Sequence, residues 1–116
     1  MVLPVVIALF ASGCWSQYRG DVSHSGSQAI ESAIATANAS TLAEAWVDST
    51  GSAVTTAPAV VDGVAFVGAA DGTLSAFDAA GVKGCSAGAP RICVPLWTGA
   101  VGTGAIRTSP AVVGGV

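Results

Sequence analysis

Few side chains in this sequence can do chemistry: one histidine, three cysteines and seven carboxylates among 116 residues. His24 would have to carry any Ser–His–Asp or Cys–His arrangement by itself. It stands in a polar stretch with no partner motif, so it reads as a surface or packing residue rather than a general base. The only glutamates, Glu31 and Glu44, lie in the same N-terminal region, away from any site motif. Cys85 and Cys93 have no neighbouring histidine or second cysteine pair, and two ligands are too few for a zinc site. The chemistry left to them is a disulfide closing a short loop, conditional on an oxidising compartment. No catalytic residue, metal site or cofactor-binding residue is identified.

Three shorter patterns carry less than they spell. Gly99-Ala100-Val101-Gly102-Thr103-Gly104 lacks the order of a dinucleotide loop and no crossover helix follows it, so it reads as a turn linking units. Arg19-Gly20-Asp21 matches an adhesion tripeptide by coincidence of composition. Asn38-Ala39-Ser40 is a formal glycosylation sequon, inert in a bacterial exported protein.

At the N-terminus, residues 2–10 form an apolar run that ends in Ala11-Ser12-Gly13 before Cys14. A membrane-spanning helix needs roughly 20 apolar residues, and this run is much shorter. It fits the core and cleavage site of a secretory signal peptide over residues 1–13, although no lysine or arginine precedes it. Ala11-Ser12-Gly13-Cys14 also resembles a bacterial lipobox, with Ala11 where leucine is usual. Lipidation of Cys14 would account for the odd cysteine, leaving Cys85 and Cys93 to pair. Plain cleavage without a lipid fits as well. The chain is therefore expected to be extracytoplasmic: secreted, periplasmic or attached to a membrane through Cys14.

Composition narrows the class. Hydrophobic residues are 52% and charged residues 9%, which argues against intrinsic disorder. The apolar share is mostly Ala and Val, with aromatics at 6%, a set suited to thin stacked layers rather than a bulky core. The net charge is −3 and lysine and arginine do not cluster, so nucleic acid has no electrostatic footprint here.

The elements that must position these residues are announced by a repeat. Thr56-Ala57-Pro58-Ala59-Val60-Val61-Asp62-Gly63-Val64 returns as Thr108-Ser109-Pro110-Ala111-Val112-Val113-Gly114-Gly115-Val116, and each copy follows a tryptophan, Trp46 or Trp97, 51 positions apart. Such a period marks stacked units that cannot bury their own apolar faces. The second copy stops in mid-phrase, as in a piece of a longer protein. Residues 14–41 read as an irregular strap with at most a helical turn near 31–37. Residues 42–47 read as a strand carrying Trp46. Asp62-Gly63 and Asp71-Gly72 separate three short apolar strands into a meander, since Asp-Gly supplies the positive φ that tight hairpins need. A fourth strand over 94–98 with Trp97 completes a four-stranded unit, after an insertion over 82–91 that the cysteines bracket. The fold class is all-β, one antiparallel blade of a partial β-propeller with an N-terminal strand and the start of a second blade, over residues 42–116.

Ala57-Pro58-Ala59-Val60, Gly63-Val64, Phe66-Val67-Gly68, Asp71-Gly72-Thr73-Leu74, Ala76-Phe77-Asp78-Ala79 and Gly81, followed by Trp97, resemble the PQQ-like β-propeller repeat. Residues 15–21 with His24-Ser25-Gly26 are similar to the lead-in of its exported members. The resemblance implies that Trp46 and Trp97 pack between neighbouring blades, while Asp62, Gly63, Asp71, Gly72, Asp78 and Gly81 shape the turns. The turn after Asp78 departs from the pattern by one residue and lacks its threonine. The resemblance implies a binding or scaffold module of the cell envelope, acting on envelope proteins or a small ligand. Its alternative is the N-terminal part of a quinone-dependent dehydrogenase, with PQQ and calcium held by residues beyond 116. Residues 42–47 would then close the ring against strands outside the chain.

Overall fold

The computed structural model describes residues 15–27, 33–48 and 50–114; the expectations placed on residues 1–13, Cys14, Glu31 and Gly115 fall outside them. Among the described residues, regular structure consists of one short 3-10 turn (Ala39–Thr41) and six strands, β1 (Trp46–Val47), β2 (Ala59–Val61), β3 (Val64–Gly68), β4 (Thr73–Asp78), β5 (Arg91–Ile92) and β6 (Trp97–Ala100). The fold is all-β. Strands β2, β3, β4 and β6 form an antiparallel four-stranded sheet in that order, and β1 pairs in parallel with β5.

The first hairpin forms for the reason its sequence gives. Asp62 and Gly63 take φ of +49° and +75°, and this pair of positive values matches the twist of the flanking strands. The second differs from expectation. Between β3 and β4 only Gly72 is left-handed, at φ +84°, and its N–H donates to the Ala69 carbonyl at 3.2 Å. Asp71 contributes its side chain instead of its backbone: Oδ1 accepts the Thr73 N–H at 3.0 Å.

Alternation along the strands sorts the side chains onto two faces. By register, Val60, Ala65, Ser75, Phe77 and Thr98 share one face, and Ala59, Phe66, Ala76 and Trp97 share the other. The buried apolar side chains are Ala59, Ala65, Ala69, Ala76, Phe77 and Cys93, so Phe77 is the one large ring in the core among the described residues. Full burial of one such ring contributes about 2–3 kcal/mol, and the alanines far less. The sheet is thin because its side chains are small.

Three expectations are corrected. The strand read over residues 42–47 is only β1, and its partner is β5, inside the chain rather than beyond residue 116. The insertion over 82–91, read as a plain loop, supplies that partner. The fourth strand is β6 at Trp97–Ala100 instead of residues 94–98, because Val94 is held elsewhere: its N–H donates to the Gly84 carbonyl at 2.8 Å. The chain rejoins the sheet only where the Leu96 N–H reaches the Ala76 carbonyl, at 2.7 Å.

The strap is more ordered than its composition implies. Trp15 and Val60 exchange both backbone hydrogen bonds, at 2.9 and 2.7 Å, which extends the sheet past β2. The Ser16 carbonyl accepts the N–H of Val112 at 2.9 Å. Val60 and Val112 hold the same place in the two copies of the repeat, so two consecutive residues of the strap join equivalent points of both copies. Each such bond contributes about 1 kcal/mol net. Among the described residues the second copy forms no strand of its own.

Candidate functional site

Three of the sequence-marked residues, Trp46, Asp78 and Gly81, converge at the turn that follows β4. Asp78 ends the strand, and its Oδ2 accepts two backbone N–H groups of the turn, from Val82 at 3.0 Å and Lys83 at 2.7 Å. Those two bonds, Lys83 first, hold the Asp78 carboxyl below its ordinary range. The Gly81 N–H donates to the Asp78 carbonyl at 2.9 Å, and Gly81 is left-handed with φ +64°. The turn, which lacks the expected threonine, is held by a carboxylate that gathers the next two amides.

Trp46 docks on this turn. Its indole Nε1–H donates to the Ala79 carbonyl at 3.2 Å, and its ring lies 5.9 Å from that of Phe77, tilted by 32°. The ring covers the α-carbon of Gly81 so closely that a β-carbon there would overlap Trp46 Cδ1 and come within 3.1 Å of its Cβ. Glycine is required twice over, by φ and by contact.

Arg91 completes the cluster, and no sequence signal marked it. Its Nη1 donates to the Gly81 carbonyl at 2.8 Å, while its backbone N–H donates to Ala45 at 3.1 Å. One residue therefore ties the turn to the strand that carries Trp46. Cys85 and Cys93 are disulfide-bonded, and they sit opposite each other in a small antiparallel bridge. Cys93 in turn donates its N–H to the Val47 carbonyl at 2.8 Å. The disulfide hairpin is the outer wall against which β1 lies. A disulfide of this kind is more typical of extracytoplasmic proteins.

Trp97 is not brought to this cluster. It stands on β6 opposite Ala76, with 47% of its surface exposed and its ring 6.1 Å from Phe66. Asp62 and Gly63 shape the exposed β2–β3 turn. Gly72 lies under the segment after β6: a β-carbon there would overlap the Gly102 carbonyl and lie 2.9 Å from that of Gly104. Glu44 is exposed. The sequon's Asn38 uses both ends of its amide locally, accepting from the Ala35 N–H at 2.7 Å and donating to the Ala33 carbonyl at 2.8 Å.

Among the described residues, no three of His, Cys, Asp and Glu are grouped to hold a metal, and no helix is long and apolar enough to cross a membrane. What the cluster around Trp46 can do is mechanical: it seats an incoming aromatic strand on the end of a sheet. No family model, curated protein or solved structure matches the chain.

Proposed function

We propose that this chain is part of an exported β-propeller of PQQ-like repeats that serves as a binding or scaffold module in the cell envelope. The observation that carries the reading is the placement of two equivalent tryptophans. Trp46 covers Phe77 on one face of the sheet, and Trp97 stands beside Phe66 on the other. Each unit therefore receives the tryptophan of the unit before it and offers its own to the unit after it. That relation is head-to-tail, and repeated it builds a ring or an open stack. The seat on this sheet is already taken by Trp46, so the occupant of Trp97 is a further sheet with an Asp78-like turn, not a second copy of this one. The disulfide supports export, and the lead-in that joins Val60 to Val112 supports units arranged side by side.

The genomic sequence on both sides of this reading frame tests the proposal. Further copies at a period near 51 residues, each with a tryptophan and an Asp-x-x-Gly turn, are the expected result. Flanking sequence without such copies overturns the array. Binding is separated from catalysis by assaying the full-length protein for dye reduction with alcohols and sugars in the presence of added PQQ and calcium. Turnover there overturns the scaffold reading in favour of a dehydrogenase.

A further inference from the structure

The strand that carries Trp46 depends on a part of the chain that the four-stranded sheet does not share. Its one strand partner among the described residues is β5, with Trp46 opposite Arg91 and Val47 opposite Ile92. Strand β5 in turn pairs with no other strand, and it lies inside the loop closed by Cys85 and Cys93, eight positions apart. On either side of Trp46, the Ala45 carbonyl accepts the Arg91 N–H at 3.1 Å and the Val47 carbonyl accepts the Cys93 N–H at 2.8 Å. The hairpin's own hydrogen bonds are few. Ser86 N–H donates to the Ile92 carbonyl at 2.8 Å, Ile92 N–H to Ser86 Oγ at 3.1 Å, and Val94 N–H to the Gly84 carbonyl at 2.8 Å. Ser86, Ile92, Gly84 and Val94 are all exposed, and an isolated two-stranded hairpin is marginally stable at best in water.

The seat beneath Trp46 is held by other means. Phe77 belongs to β4, an inner strand of the sheet. The turn after it is closed by bonds within residues 78–83, from Val82 and Lys83 to the Asp78 carboxylate and from Gly81 to the Asp78 carbonyl. The occupant is therefore secured through the disulfide hairpin, whereas the seat is not.

We propose that the Cys85–Cys93 disulfide is a redox latch on Trp46, opened by a dithiol. The two cysteines are unequally accessible: Cys93 is 2% exposed, whereas Cys85 is half-buried, so attack falls on Cys85. A thiolate of the dithiol bonds to Cys85 Sγ, the Cys85–Cys93 bond breaks, and Cys93 leaves as a thiolate that takes a proton from water. The second thiol, deprotonated, then displaces Cys85 from the mixed disulfide. The reagent ends as a disulfide and the protein as two thiols, with two electrons and two protons transferred. Opening the loop returns β5 to the freedom of an open chain, and β1 loses its strand partner with it. Trp46 keeps only its indole bond to Ala79 and its contacts with Phe77 and Gly81. Reoxidation closes the latch. The device lies wholly within this chain and does not rest on the number of repeats.

Hydrogen exchange at the Trp46 indole N–H, followed by NMR on the full chain with oxidised and with reduced dithiothreitol, tests the proposal. Trp46→Phe identifies that signal among the three indoles. Under native conditions reduced dithiothreitol should cleave the disulfide faster than the chain unfolds globally. Exchange at Trp46 Nε1–H should then accelerate at least tenfold. The amides of Val82 and Lys83 in the seat, and of Val67 and Ser75 paired across β3 and β4, should keep their protection. Oxidised dithiothreitol should restore the slow indole. Cys85→Ser with Cys93→Ser should show the fast indole and the protected sheet without any reductant. Cleavage only through global unfolding, an indole that exchanges alike in both states, or loss of protection at Val67 and Ser75 together with Trp46, in the reduced chain or in the double variant, would each overturn the latch.

Discussion

Trp46 and Trp97 each lead into a copy of one repeat, 10 residues before Thr56 and 11 before Thr108, and stand on opposite faces of one sheet. The indole of Trp46 is bonded to Ala79 and closed in over Gly81, whereas Trp97 remains 47% exposed beside Phe66. The tryptophans that lead into the two copies thus have different environments, and the difference can be measured.

Replacing the two tryptophans should have unequal effects. Trp46→Ala removes a docked ring and should lower stability by about 3–5 kcal/mol, read as the urea midpoint of the full chain. Trp97→Ser should change it by less than about 0.5 kcal/mol, because surface side chains contribute little. Equal losses would show that Trp97 is already covered.

Glycine substitutions should follow contact rather than sequence pattern. Gly63 and Gly81 are both left-handed, yet a β-carbon at Gly63 meets nothing within 4 Å while one at Gly81 strikes Trp46. Gly63→Ala should cost about 1 kcal/mol for the backbone alone. Gly81→Ala adds overpacking of 1–3 kcal/mol, for about 2–4 kcal/mol in total. Thermal melts of the two variants should separate by several degrees.

The turn after β4 should loosen in acid. The Asp78 carboxyl is held below its ordinary value, so its contribution is complete above the unfolded-state pKa and is lost as pH falls through the folded one. Amide exchange at Val82 and Lys83 should therefore accelerate in the acid range below the ordinary aspartate value. Asp78→Ala should exchange rapidly at these two amides at every pH and lose that acid dependence. An unchanged profile in the variant would show that the carboxylate does not hold the turn.

Reduction of the disulfide should be felt across the β1–β5 pair. Cys85→Ser with Cys93→Ser should destabilise by about 2–3 kcal/mol on the loop-entropy model. The amides of Arg91 and Cys93, which bond to Ala45 and Val47, should lose protection ahead of those in β3 and β4. Uniform loss of protection throughout the chain would mean that the hairpin and the sheet form one cooperative unit.

Much of the sheet was legible because turn chemistry is local. Asp62-Gly63 specifies its hairpin within two residues, and the alternating strands beside it follow. Asp71-Gly72 was legible as a turn but not by type, since Asp71 shapes it through its side chain, which accepts the Thr73 N–H, rather than through a left-handed backbone. The Cys85–Cys93 pair could be read from cysteine count. That the loop between them would hold β1 could not, because the link runs through backbone groups of Arg91 and Cys93, which carry no side-chain signature. The same limit hid the pairing of Trp15 with Val60. A single arginine in a polar insertion carries no sequence signal of its own, and it is the left-handed turn at Gly81 that places a carbonyl within reach of Arg91.

The strap that joins Val60 to Val112 also orders events in time. Residues 15 and 16 are among the first of the described chain to be synthesised, yet their partners come from its middle and its far end. Contacts of such long sequence separation close late, after the local hairpins have formed. The strap must therefore stay uncommitted while β2, β3 and β4 assemble, with the edge of β2 open to any other extended chain until it returns. Its sparse charge and many serines suit a segment that has to wait in water. The last bond to form is then the one between the Val112 N–H and the Ser16 carbonyl.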